Sequence, residues 1–232
     1  MTAIIEHHHA DVSGGRLRAA TFGAMDGLVT NIALIAGVGG GGAGHHTLIL
    51  TGVAGLVAGA ISMGIGEYTS VRTQNEQVAA ELAKELRELT VNPQGEADEL
   101  VEMWVARGLP IGLARQIAEV LKNNPEQALR VHAQEELGVV PDELPSPWTA
   151  ASSSFVCFAI GALIPLLPYL AGIDNLGLAL GVGGAGLFVA GAIMARFTAR
   201  AWWRGGLRQL ALGAMAAAAT YGIGALIGVG IS

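Results

Sequence analysis

Cysteine is nearly absent: the 232-residue chain has one, Cys157. A single thiol excludes an intrachain disulfide framework and a cysteine-built zinc site. Charge is scarce too. Asp, Glu, Lys and Arg make up 14% of the chain, against about a quarter in soluble domains. Aromatic residues reach only 5%. In their place stand 34 glycines and a hydrophobic fraction of 52%. That is the composition of helices packed closely through small residues in a membrane. The opening "MTAIIEHHHADVSGG" is polar and lacks an apolar leader core, so no cleavable signal peptide is expected.

Basic residues are missing from three long stretches: between Arg18 and Arg72, between Arg130 and Arg196, and beyond Arg208. These gaps hold five apolar runs, about 19–40, 47–70, 149–172, 176–195 and 207–229. Each is close to the roughly 20 residues that cross the hydrocarbon core. The basic residues also orient the chain. With the N-terminus in the cytoplasm, Arg16, Arg18, the seven Lys/Arg of 72–147, Arg196, Arg200, Arg204 and Arg208 all lie inside. Loops 41–46 and 171–175 and the C-terminus carry none and fall outside, as the positive-inside rule requires. The expectation is an all-α, multi-pass protein of the cell (inner) membrane. A polar tail (1–15) precedes transmembrane helices 1 and 2 (16–71). A soluble helical insert (72–147) follows, then transmembrane helices 3 to 5 (148–232).

The insert holds 14 Asp/Glu against seven Lys/Arg, a net charge of −7. Its helix punctuation predicts four segments. The second span continues helically from Val71 to Leu89, and a second helix runs from about Glu96 to Gly108. A third covers "LPIGLARQIAEVLKNN". A fourth opens at Pro125, with Asn124 as its N-cap, and ends at Gly138. Glu81, Glu85 and Glu88 share one face at i, i+4, i+7. Glu96, Glu99 and Glu102 share another at i, i+3, i+6, and His132 and Glu136 stand at i, i+4. Like charges so spaced repel by some tenths of a kcal/mol per pair. A divalent cation reverses that cost, and carboxylates with an imidazole suit Mn2+, Fe2+ or Zn2+. The same pattern is also that of a solvated acidic helix surface, with Lys84 and Arg87 as partial counter-charges.

In the spans, Asp26 is the deep acid. A carboxylate near mid-bilayer costs about 2.5–3.5 kcal/mol on insertion scales and marks a pathway or a partner. Apart from Arg208 at the very start of the last run, no basic residue lies within the five runs, which leaves protonation, Thr30 or Asn31, water, or a cation; a structural role at a kink beside Gly27 is the alternative. Met63 stands one turn before Glu67 on the same face; a thioether beside a carboxylate suits Fe2+ better than Mg2+ or Ca2+, though methionine also fills cores. Glu67 reads either as a cytosolic ion mouth or as an interfacial acid. His7–His9 and His45–His46 are weaker metal candidates. Gly23/Gly27, Gly55/Gly59, Gly177/Gly181 and Gly224/Gly228 have the spacing of close helix contacts.

"MDGLVTNIALIAGVGG" (25–40), "AGAISMGIGEYTSV" (58–71), "ELAKELRELTVNPQGEADELVEM" (81–103) and "GALIPLLPYL" (161–170) together resemble the vacuolar iron transporter family, in a bacterial-type member. The similarity runs from about residue 16 to the end. It implies a homodimer of five-helix protomers with a pathway along the two-fold axis. It implies a divalent metal exporter that moves Fe2+, often Mn2+, out of the cytosol against protons. The insert is then a cytosolic metal-binding domain. Its ligands fall on Glu85, Glu88, Glu96, Glu99 and Glu136, with Glu81 and Glu102 as neighbours, and the membrane site falls on Asp26 and Met63. Three departures stand out. Plant-type members carry two methionines where this chain has His132 and Ala133, and a glutamate where it has Gly55. They carry a glycine where it has Glu67. No enzyme activity, prosthetic group or nucleic-acid partner is expected. A membrane ferroxidase normally needs Glu-x-x-His pairs, and Leu129 stands three before His132, the insert's one histidine. A metal-sensing or metal-buffering membrane protein would need the insert without Asp26 and Met63.

Overall fold

The computed structural model describes residues 15–198 and 200–231; expectations for the N-terminal tail and His7–His9 lie outside them. Among the described residues the regular structure is helical: α1 (Gly15–Gly40), α2 (His45–Val91), α3 (Pro93–Ala106), α4 (Ile111–Lys122), α5 (Pro125–Glu136), α6 (Pro147–Leu163), α7 (Leu167–Leu170), α8 (Leu176–Phe197) and α9 (Trp202–Ile231), with short 3-10 turns at Pro141–Glu143 and Ile164–Leu166. Five stretches are long and apolar enough to cross a membrane: Leu17–Gly40, His45–Val91, Pro141–Leu170, Leu176–Phe197 and Trp202–Gly228. The chain forms two compact units, Met1–Thr69 with Pro147–Ser232, and Ser70–Ser146.

The first unit is assembled through small residues. Added methyl groups at Gly23 or Gly27 of α1 would overlap the backbone of Ser154 and Phe158 on α6, and one at Gly161 would overlap the Ala24 carbonyl from the other side. Near the far end of α1, Gly37 and Gly41 meet Gly224 and Gly228 of α9 backbone to backbone. In lipid, where apolar burial offers no gain over hydrocarbon, such close approach supplies the packing energy. Leu28, Ile32 and Leu187 form one core cluster, and Ile35, Leu48, Leu166, Tyr169 and Ala179 another. Fully buried Asn31 donates from Nδ2 to the Ala162 carbonyl at 2.6 Å. Gly55 and Gly59 meet side chains, Leu34 and Phe158, rather than backbone. Gly177 and Gly181 depart from expectation: Gly177 has only its own Asn175 close by and Gly181 nothing within 4 Å, so they join no helices among the described residues.

Some boundaries differ from those expected in both units. The third apolar run is not one helix: α6 stops at Leu163, tightens into a 3-10 turn at Ile164–Leu166 and resumes as α7. Pro165 and Pro168 lack the N–H that an unbroken α-helix needs there. In the second unit α3 begins at Pro93, not near Glu96. Asn92 caps it, accepting from the Gly95 N–H, and Pro93 fills a first-turn position where an N–H would be orphaned anyway. The same grammar opens α5, where Asn124 accepts from the Gln127 N–H ahead of Pro125. Ala97, Val101, Ala114 and Ala118 join α3 to α4, while Leu100, Leu121 and Ala128 bring in α5, with Leu89 of α2 packed on them.

Candidate metal centre

That small core decides which acids lose their water. Packing α5 against α2 and α3 buries His132 to 1% exposure. Its Nδ1 lies 2.6 Å from Glu136 Oε1, 3.0 Å from Glu85 Oε1 and 3.9 Å from Glu96 Oε2. One ring N–H cannot satisfy several carboxylates at once. The hydrogen bond is made with Glu136, and the buried Glu85 Oε1 has no hydrogen-bond partner. Donor atoms of Glu85, His132 and Glu136 all lie within 4.8 Å of one another. Ligands at about 2.0–2.2 Å from one ion need mutual spacings of that order. The three side chains fit a first-row divalent ion, with oxygen ligands and one borderline nitrogen.

A cavity of about 160 Å³ opens beside them, lined by Glu81, Lys84, Glu85, Glu88, Glu99, His132 and Glu136 among others. Glu81, Glu88 and Glu99 are exposed members of its wall, available to further ions or bridging waters. Glu96 is buried and reaches His132 only at the longer distance, and Glu102 is exposed and does not line the cavity. Burial lifts the Glu85 carboxyl to about 7, helped by the negative charge of Glu136 and, less, of Glu96 and Glu88; His132 pulls the other way. Burial also raises Glu96, with His132 again opposing. Both shifts express one cost: negative charge crowded out of water without a cation. His132 Nε2 is buried without a partner, and the ring also borders a small apolar pocket between Leu89, Leu100 and Leu121.

In the other unit, Asp26 accepts a long 3.5 Å hydrogen bond from the Thr30 hydroxyl; Asn31 is engaged with α6 instead. Met63 packs on the cluster of Ala60, Phe158 and Ala162. Glu67 holds a partner that residue spacing did not reveal, Arg18, at 2.6 Å. Helix α1 begins before the apolar run does, so Arg18 is part of the first membrane helix; the expectation that no basic residue serves the spans is corrected to that extent. The available signal was that Arg18 borders the first apolar run and Glu67 is the one acid within the second. Of the two histidines that open α2, His45 has Nδ1 3.7 Å from Asp174 Oδ1 and packs its ring on Tyr169, while His46 is exposed.

Fold and site together define an α-helical protein with membrane-spanning helices and a carboxylate–imidazole centre in its acidic unit. Residues 17–225 match the VIT family model. The chain is 32% identical to vacuolar iron transporter 1 of Oryza sativa subsp. japonica over 94% of its own length and 88% of that protein. It is 30% identical to vacuolar iron transporter 1 of Arabidopsis thaliana, over 94% and 89%. It is 35% identical to the vacuolar iron transporter of Acanthamoeba castellanii, over 92% and 79%. The chain belongs to the VIT family and is a multi-pass membrane protein.

Proposed function

We propose that this protein is a metal transporter that exports Fe2+, and Mn2+ as a second cargo, from the cytosol in exchange for protons. The observation that carries the reading is the convergence of buried Glu85 and His132 with exposed Glu136, leaving one buried carboxylate oxygen orphaned, in a chain whose membrane helices also hold Asp26 and Met63. The names of the relatives supply iron as the cargo. In this reading Ser70–Ser146 is a cytosolic capture domain, with Glu81, Glu88, Glu96 and Glu99 as outer ligands, and Zn2+ is a competing ion. Asp26 and Met63 form the membrane site, and Glu67 stands at its cytosolic mouth. Two copies of the chain form the working dimer in the cell membrane, N-terminus inside and C-terminus outside. Protonation of a carboxylate in one half of the cycle and metal binding in the other couples the two fluxes.

The test is uptake of Fe2+, Mn2+, Zn2+ and Ca2+ into proteoliposomes with and without a pH gradient. Fe2+ and Mn2+ uptake that rises with the gradient supports the reading. Metal binding without flux would make the protein a sensor or buffer. Fe2+-dependent oxygen consumption would make it a ferroxidase.

A further inference from the structure

Glu67 is the one acid in the part of α2 that belongs to the membrane unit, and Arg18 is the last basic residue before a stretch that has none until Arg72. The two side chains meet across 49 positions of sequence at 2.6 Å. Their environments are unequal. The Glu67 side chain is 11% exposed, whereas that of Arg18 is 65% exposed. The carboxylate is therefore the fixed member, withdrawn from water, and the guanidinium is the member that can leave into solvent at little cost.

Each lies on the helix face that carries a proposed membrane ligand. Met63 stands one turn from Glu67 on α2, and Asp26 stands eight residues beyond Arg18 on α1, a spacing that keeps both on one stripe. A cation approaching that pair of ligands from the Arg18–Glu67 end meets Glu67 first and finds it occupied by a charge built into the chain. Arg72, the next basic residue after Glu67, is engaged with Glu76.

We propose that Arg18 is a tethered cation that occupies Glu67 between transport events, so that only an ion able to displace a guanidinium enters the membrane helices. The proposal rests on the transport reading and makes Arg18 a specificity-determining residue within it. A divalent ion attracts the carboxylate with twice the charge of Arg18 and displaces it. A monovalent ion gains nothing over the guanidinium already in place. Once the ion has moved on, Arg18 returns and opposes backflow.

Mn2+ uptake by the full-length protein in proteoliposomes tests it. Arg18→Gln should lower the KM for Mn2+ about fivefold, the scale set by a partly exposed ion pair, and should let K+ compete. Glu67→Gln should raise the KM, Arg18→Lys should stay near wild type, and the double variant should behave as Glu67→Gln. A pair that merely staples α1 to α2 would shift both single variants the same way with lowered melting temperatures, and that result would overturn the proposal. A second readout needs no flux. In full-length protein carrying Glu85→Gln and Glu136→Gln, adding Arg18→Gln should strengthen Mn2+ binding by calorimetry, and adding Glu67→Gln should abolish the gain. Absence of a Glu67-dependent gain rejects the tethered-cation role. If wild type moves no metal, the transport reading fails, and this binding comparison still decides the role of Arg18.

Discussion

Glu85 holds its proton unusually tightly, and the sign of the consequence follows from linkage. Its carboxyl titrates at about 7 in the folded protein against an ordinary 4.5. Between those values the native chain binds a proton that the unfolded chain has released. The metal-free acidic unit therefore loses stability as pH rises through that window. A metal ion needs the ionised form, so Mn2+ affinity should strengthen from pH 6 to pH 7.5, with proton release on binding. Calorimetry in buffers of different ionisation enthalpy reads both, and a flat pH profile would contradict the assignment. Glu85→Gln should remove that dependence and weaken binding tenfold or more. Asp26→Asn should leave metal binding by the acidic unit intact and cut proteoliposome flux by at least tenfold, while Asp26→Glu should keep partial activity at a shifted pH optimum. Wild-type flux in the Asn variant would reduce Asp26 to a helix-kink residue. The sequence pattern placed Glu81, Glu85 and Glu88 on one face but did not say which is buried. That depends on α5 laying His132 over Glu85, a contact no local spacing encodes.

Among the elements, glycine sets how closely the helices approach. Gly27→Ala should cost about 1–3 kcal/mol, because its methyl would meet the Phe158 carbonyl, part of a backbone that moves only with the whole helix. Gly112→Ala should instead stabilise the acidic unit by about 0.5–1 kcal/mol, since it lies in α4 with nothing within 4 Å of the added atom. Opposite shifts in thermal unfolding check the pair. Helix starts at Asn92-Pro93 and Asn124-Pro125 use a side-chain cap followed by a ring that needs no N–H. The second was read from sequence, and the first was placed three residues late because Glu96 drew the boundary. The break in the third span was not legible: hydropathy runs unbroken through Pro165 and Pro168, and it measures apolarity, not backbone hydrogen bonding. Gly177 and Gly181 mislead in the opposite way, because a glycine spacing states what a helix permits and not what approaches it.

For the whole molecule, the distribution of basic residues makes a sharp topological prediction. In a Cys157→Ala background, a cysteine at Gly44, in the α1–α2 turn, should react with impermeant thiol reagents only from outside the cell. One at exposed Glu126 should react only from the cytosol. Labelling on the opposite sides would invert the orientation and with it the direction of transport. The five membrane stretches were readable because each is a long apolar run free of Lys and Arg at its centre. The reach of α1 beyond its apolar run, and hence the contact of Arg18 with Glu67, was not: helices end where caps and chain geometry end them.

The acidic unit also carries its own optical reporter. Trp104, on α3, is the one tryptophan between residues 72 and 147, and its indole N–H donates to Glu135, the neighbour of Glu136 on α5. Glu135 is held in turn by Arg107. An ion drawn to Glu136 acts on a carboxylate adjacent in sequence to the one that anchors the fluorophore. Paramagnetic Mn2+ or Fe2+ should quench its emission, whereas diamagnetic Zn2+ should shift it without quenching. The state of filling can then be followed by light in the unlabelled protein, with Trp104→Phe as the silent control.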